Sequence, residues 1–216
     1  MRQFTFLLLL IAFAHASTGC TNTISGTVDG LELPLMQSAF YIESEDGYGD
    51  DGTLLVWMSS VEDACTKAEA VLAGQDATDD PDELAALWST HYPADFWEVT
   101  VVLRTADVND SVAGSSFDGV GWDEESERPG QAFASFTHFL RDHDAAFWDG
   151  SGEYERYQDL YYTDQGTLNV DVHSPGDQIG GYFDTGAADW DDGDAQGDVG
   201  IDFDAERCRG VERVFF

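Results

Sequence analysis

The sequence predicts a mainly β domain, an antiparallel β-sandwich or jelly-roll-like barrel with one or two short helices. Three observations predict it. Apolar and polar residues alternate in short runs such as Thr167-Leu168-Asn169-Val170-Asp171-Val172, the period-two pattern of a half-buried strand. Pairs such as Asp29-Gly30 separate the runs, and Asp and Gly favour tight turns. One strand type recurs: residues 176–184 and 197–204 both begin Gly-Asp and end Phe-Asp, and Ile24-Ser25-Gly26-Thr27-Val28 echoes them. Glycine inside a strand marks a bulge or a close backbone approach, and short strands between such turns suit an antiparallel sheet better than a parallel α/β one.

In chain order, residues 23–28 and 38–43 read as strands, and residues 53–59, TLLVWMS, as a buried central strand because the run is almost continuously apolar. Ser60 is the expected N-cap of a helix that ends near Gly74, with Asp63 completing a box-like pair and Val61, Ala64, Cys65, Ala68 and Leu72 on one face. A second short helix starts at Pro81 and runs through Trp88, with Asp82 and Glu83 in its first turn. Residues 97–105, WEVTVVLRT, form the clearest β-branched strand. Residues 107–128 read as a long surface loop, and residues 131–148 suit either a helix or a strand, the β-rich surroundings favouring the strand. Residues 161–163 and 166–172 are expected strands, followed by the two repeated units.

The first 20 residues are a processing signal rather than structure. Arg2 precedes an apolar run, residues 4–14, too short to span a bilayer and built like the hydrophobic region of a secretory signal. Ser17-Thr18-Gly19-Cys20 resembles the lipobox of bacterial lipoproteins. That resemblance implies a signal peptide over residues 1–19, lipid on Cys20, a short tether over 20–22 and a single β-rich domain over 23–216. Thr21 follows the cysteine where an Asp would mark inner-membrane retention, so the expected location is the outer membrane of the cell envelope. The alternative is ordinary cleavage after Ala14-His15-Ala16, which gives a secreted or periplasmic soluble protein. The domain also resembles single-domain envelope lipoproteins of myxobacterium-like Gram-negative bacteria, framed by a Gly-rich strand near the start and a G-x-F-D-A-like strand plus cysteine near the end. The latter resemblance implies no activity.

With Cys20 lipidated, Cys65 and Cys208 remain as one pair, and cysteine arithmetic in an oxidising compartment favours a disulfide between them over two separate buried thiols. The 197 residues from Cys20 onward carry 8 basic against 43 acidic residues, a net charge of −35. Such a surface excludes nucleic acid and anionic membrane surfaces as direct partners, because phosphate binding needs clustered Lys and Arg. Lys67 is the single lysine, and Asp outnumbers Glu by 29 to 14. Two readings of that excess stand side by side: adaptation to a saline habitat, where salt screens the self-repulsion, and Ca²⁺ binding by aspartate-rich loops. Aromatic residues at 13% and hydrophobic residues at 43% argue against a disordered acidic chain.

The Ca²⁺ candidates are Asp189, Asp191, Asp192, Asp194 and Asp198, five aspartates in ten residues with glycines for a turn, and a smaller cluster at Asp46, Asp50 and Asp51. Neither matches an EF-hand loop, since the twelfth position counted from Asp189 is Gly200 and no bidentate Glu closes the site. A zinc site would draw on His138 with Asp142, His143 and Asp144, but no H-E-x-x-H motif is present and a solvated polar face is the plainer reading. Residues 114–119, GSSFDG, lack the G-x-S-x-G nucleophile elbow. Among 43 acids some carboxylate pair at glycosidase spacing is inevitable, so that signal has no weight. Trp122 and Trp190, with Trp148 and the Tyr161-Tyr162 pair, are candidate stacking surfaces for a glycan, or parts of a core. The expectation is a non-catalytic structural or binding protein of the envelope whose partner is a glycan or another envelope protein. A Ca²⁺-dependent carbohydrate-binding or adhesion module is the alternative, and a secreted hydrolase a distant third.

Overall fold

The computed structural model describes residues 22–44, 52–75, 77–78, 80–121, 128–140, 157–189 and 193–211. Among the described residues ten strands join in one sheet: β1 Thr23–Val28, β2 Leu31–Glu32, β3 Ser38–Ser44, β4 Gly52–Ser59, β5 Asp95–Thr105, β6 Ser116–Val120, β7 Gln131–Leu140, β8 Tyr157–Ser174, β9 Gln178–Asp189 and β10 Ala195–Arg207. Two helices, α1 Ala64–Gln75 and α2 Pro81–His91, separate β4 from β5. The domain is therefore mainly β and mostly antiparallel with two short helices, as expected.

Strands β3, β4, β5, β7, β8, β9 and β10 pair in that order, each antiparallel to the next. β10 returns to β3 and partly closes the ring through a short parallel contact, Glu206↔Phe40 and Arg207↔Tyr41. Further up the same edge of β10, β1 pairs antiparallel from Thr23↔Asp202 to Gly26↔Val199, and β2 hangs on β1 alone. β6 wedges between β7 and β8 at one end of the ring.

Burial explains which runs look continuous and which alternate. On β4, Leu54, Val56 and Met58 fill the ring's interior, while Leu55 and Trp57 on the outer face pack with Ala64 and Leu72 of α1. Both faces of that strand are covered, so it reads as an unbroken apolar run. On β10 only the inner face is covered: Ile201, Phe203 and Ala205 are buried, while Asp202 is exposed and Asp204 half-buried. That strand alternates.

The glycine-bearing repeat has a steric origin. Gly197 lies at a register shift in β10 with φ +147°, and a Cβ there would come within 2.2 Å of the Thr27 carbonyl oxygen. At Gly200 a Cβ would meet the Tyr182 hydroxyl at 2.4 Å, so the tyrosine of one repeat lies across the glycine of the next.

Three elements depart from expectation. α1 starts at Ala64 rather than after Ser60, because Ser60 Oγ accepts the Trp97 N–H at 2.9 Å and the cap comes from β3 instead. Ser38 Oγ accepts the Ala64 N–H at 3.1 Å and donates to the Val61 carbonyl at 2.5 Å. The expected loop over 107–128 contains β6. The two expected strands at 161–163 and 166–172 are one strand, β8, interrupted by register shifts. Of the ambiguous run 131–148, residues 131–140 form a strand, β7, as favoured, and residues 141–148 lie outside the described residues.

Cys65 of α1 and Cys208 just after β10 form the expected disulfide, with Cα atoms 5.8 Å apart. It ties the helical layer to the ring at its closing strand. Cys208 N–H also donates to the Tyr41 carbonyl at 2.8 Å, extending the short β10–β3 contact by one bond. Glu69 Oε1 of α1 accepts the Gly210 N–H at 3.2 Å and so secures the 3₁₀ turn Arg209–Val211 that follows.

Candidate binding cleft

Unequal strand lengths open a cleft at one end of the ring. The β4–β5 ladder stops at Ser59↔Glu98, but β5 begins at Asp95, so Asp95, Phe96 and Trp97 run past the ladder, paired to Leu140, Phe139 and His138 of β7. Ser60 turns away at that point, its N–H donating to the Trp97 carbonyl at 3.0 Å. By the two-residue period, Trp97 shares the inner face of Val99 and Val101, and it stands at the mouth of the ring. Its cross-strand partner His138 stacks on it, centroids 4.4 Å apart and planes at 8°. The His138 Nε2 lies 2.9 Å from Asp95 Oδ1, which anchors the imidazole from the rim.

Residues 31–37 form the opposite wall. Met36 is 3% exposed and plugs the ring's interior, the Gln37 N–H donates to the Ser59 carbonyl at 2.8 Å, and the Gln37 side-chain amide donates to the Ser60 carbonyl at 2.7 Å. With the segment held there, Leu31 and Leu35 stand outward, 47% and 67% exposed. Between the walls lies a cleft of about 610 Å³ bordered by Leu31, Glu32, Pro34, Leu35, Gln37 and Ser60 on one side and residues 95–97 with His138 on the other. Its walls are largely apolar. Among the described lining residues the charged ones are the acids Glu32 and Asp95, with no Lys or Arg.

Two other polar groups lie apart from the cleft. Glu98 sits two residues from Phe96 on the outer face, which the helices cover, and is 5% exposed. Burial pushes its carboxyl up to about 8, opposed by a hydrogen bond with Trp57, and among the described residues its Oε1 has no hydrogen-bond partner. At the far end of the ring Glu43 binds Arg207 at 2.5 Å and accepts the Gly176 N–H at 2.7 Å and the Tyr41 hydroxyl at 3.2 Å. Burial and the neighbouring Glu43 push Tyr41 up to about 12. His173 Nδ1 accepts the Val112 N–H at 3.1 Å, which places the ring proton on Nε2 when the imidazole is neutral, and burial holds its pKa below the ordinary value. This group ties β10 to β3 across the ring's closing contact.

Cys20, Trp122, Trp148, Trp190, Asp191, Asp192 and the cluster Asp46, Asp50 and Asp51 lie outside the described residues, as do Asp142, His143 and Asp144. Of the remaining Ca²⁺ candidates, Asp189 ends β9 and Asp194 faces it across a hairpin, the Asp189 N–H donating to the Asp194 carbonyl at 3.0 Å. Asp198 is exposed on β10 opposite Gly186. Among the described residues these three do not gather into a three-ligand group; the one such group is Cys65, Glu69 and Cys208, whose sulfurs are bonded to each other. Tyr161 is core and Tyr162 half-buried.

Sequence reasoning placed Trp97 on a strand and noted His138 as a metal candidate, but not the cleft they form. The one signal was an aromatic residue opening a strand longer than its predecessor. No family model, no curated protein and no solved structure matches this chain.

Proposed function

We propose that this chain is an exported binding protein, held in the outer membrane by a lipid on Cys20, with the cleft at the ring's mouth as its ligand site and no catalytic role. The observation that carries the binding role is the cleft itself, an apolar concavity with a few convergent polar groups, the form that ligand sites take. The Cys65–Cys208 disulfide supports an oxidising compartment and leaves Cys20 the odd cysteine. β1 carries the chain from Asn22 to the Leu31 end of the cleft wall. Asn22 is tied to β10 by accepting the Asp204 N–H at 2.9 Å, β1 then runs six residues, about 20 Å at strand rise, and the cleft wall begins just beyond its far end. A lipid two residues before Asn22 holds the trailing end of β1, and the cleft wall returns from Leu31 at the leading end to Gln37 beside Ser60.

One observation favours the second reading, a Ca²⁺-dependent carbohydrate-binding or adhesion module. The Asp189–Asp194 hairpin lies at the same end of the ring, beside the β1–β2 turn, where the Asp29 N–H donates to the Gln196 carbonyl at 2.9 Å. Two measurements test these readings. Mass spectrometry of the mature N-terminus is expected to show a diacylated Cys20, and an unmodified chain starting at Ser17 refutes the anchor. A ligand screen in high salt, with and without Ca²⁺, is expected to show binding independent of Ca²⁺; strict Ca²⁺ dependence supports the second reading instead.

A further inference from the structure

We propose that the cleft takes an extended, cationic, amphipathic peptide segment of a partner protein; the inference rests on the binding role above and names its ligand class. Shape, apolar surface and charge each point to it. The cleft is a break in a sheet: among the described residues β2 pairs with β1 alone, and in the β5 overhang Trp97 is held by Ser60 through both its N–H and its carbonyl, which leaves the edge open at Asp95 and Phe96. A break of that kind admits a strand-like chain, the mode by which sheets recruit extended peptides. Of the exposed large hydrophobic residues Leu31, Leu35, Val172 and Tyr182 among the described residues, two stand on this one lip, and they offer apolar contacts to the leucine side of such a peptide.

Charge selects the peptide's other residues. Glu32 is exposed, and the Asp95 side chain is 70% exposed at the rim while the stacked His138 holds one of its oxygens. Among the described residues the cleft is lined by acids and by no Lys or Arg, so these acids attract Lys or Arg side chains and repel phosphate or carboxylate groups. A neutral sugar finds less here. Trp97 is 7% exposed and one of its faces is covered by His138, so it offers no open ring for a pyranose to stack on.

The test uses the full mature protein and synthetic capped nonapeptides measured by titration calorimetry at low and at physiological salt. A peptide alternating lysine and leucine is expected to bind, more weakly as salt rises. Peptides alternating glutamate with leucine, or lysine with serine, are expected to bind at least tenfold more weakly. Glu32→Gln combined with Leu35→Ser, two exposed positions checked by an unchanged melting midpoint, is expected to weaken the lysine–leucine peptide at least tenfold. Asp202→Asn combined with Glu206→Gln, exposed on β10 away from the cleft, is expected to leave it unchanged. Equal weakening by both pairs overturns the proposal, because binding is then diffuse attraction to an acidic chain. If the peptide fails but a neutral oligosaccharide binds in a Leu35-dependent way, the peptide falls and the binding role stands. If neither binds, both fall.

Discussion

Replacing Cys65 and Cys208 together by serine tests how the ring is kept shut. β10 meets β3 through two residue pairs, Glu206↔Phe40 and Arg207↔Tyr41, a far shorter ladder than the one β10 makes with β9. The disulfide immediately beyond this contact spans 143 residues of sequence. In the chain-entropy model a loop of that length, left uncrosslinked, adds about 5 kcal/mol of freedom to the unfolded chain, with measured losses of 2–5 kcal/mol typical when a native bridge is removed. Cys208 is 1% exposed in a cluster with Phe40, Ile42 and Leu72, so serine also places a hydroxyl in an apolar site and adds to the loss.

The assay is urea unfolding at one fixed salt concentration, since a net charge of −34 makes stability salt-dependent. With a slope of about 2 kcal/mol per molar urea, a loss of about 4 kcal/mol moves the midpoint down by roughly 2 M. Wild-type protein unfolded in reductant is expected to show the crosslink's share of the loss alone, so its difference from the double-serine variant isolates the hydroxyls. A shift below about 0.5 M in both experiments refutes the argument, and would mean that strand pairing and the Arg207–Glu43 contact close the ring without the bridge.

Arg207→Met leaves Glu43 buried with its cation removed and is expected to cost about 3 kcal/mol, the usual penalty for breaking a buried pair; the double change with Glu43→Leu is expected to recover most of it in the same urea assay. Glu98 has a folded-state pKa raised to about 8, so its contribution is fully present below its ordinary value near 4.5 and is lost as pH rises through 8. Urea midpoints of wild type and Glu98→Gln at pH 5 and pH 8 are expected to show that the variant declines less across that interval, by an amount on the order of 4 kcal/mol, and parallel declines would contradict the assignment. His173, held below its ordinary value by burial, acts with the opposite sign: its share of stability is present above about pH 6.5 and lost on acidification, so His173→Gln is expected to reduce the fall in melting temperature between pH 7 and pH 5. Gly197→Ala meets a backbone carbonyl at 2.2 Å with φ at +147° and is expected to lower stability by about 2 kcal/mol, whereas a neutral result would show that the bulge can relax.

Local pattern carried most of the secondary structure. The alternation of residues 167–172, the β-branched run from Trp97 and the unbroken apolar stretch at 53–59 each report how many faces of one strand are covered, a property written into neighbouring residues. The errors fell where a partner distant in sequence decided the outcome. Ser60 is a good cap by type, but the Trp97 N–H holds its hydroxyl and Ser38 caps α1 from β3. Residues 107–128 are rich in Gly, Ser and acids, yet β6 forms there because β7 and β8 diverge enough to accept a strand between them.

The sequence by itself determined the β class, most strand positions, the two helices and the pairing of Cys65 with Cys208, because period, turn residues and cysteine count are local or additive quantities. Only the tertiary structure decided that the sheet curls into a ring, that its β10–β3 contact is short, and that a mouth opens where β5 outruns β4. Trp97 and His138 lie 41 positions apart in the chain and meet through the register of β5 on β7. A one-residue slip in that register would put the histidine on the opposite face of the sheet. The cleft is therefore a product of register and strand length, neither of which a single strand encodes.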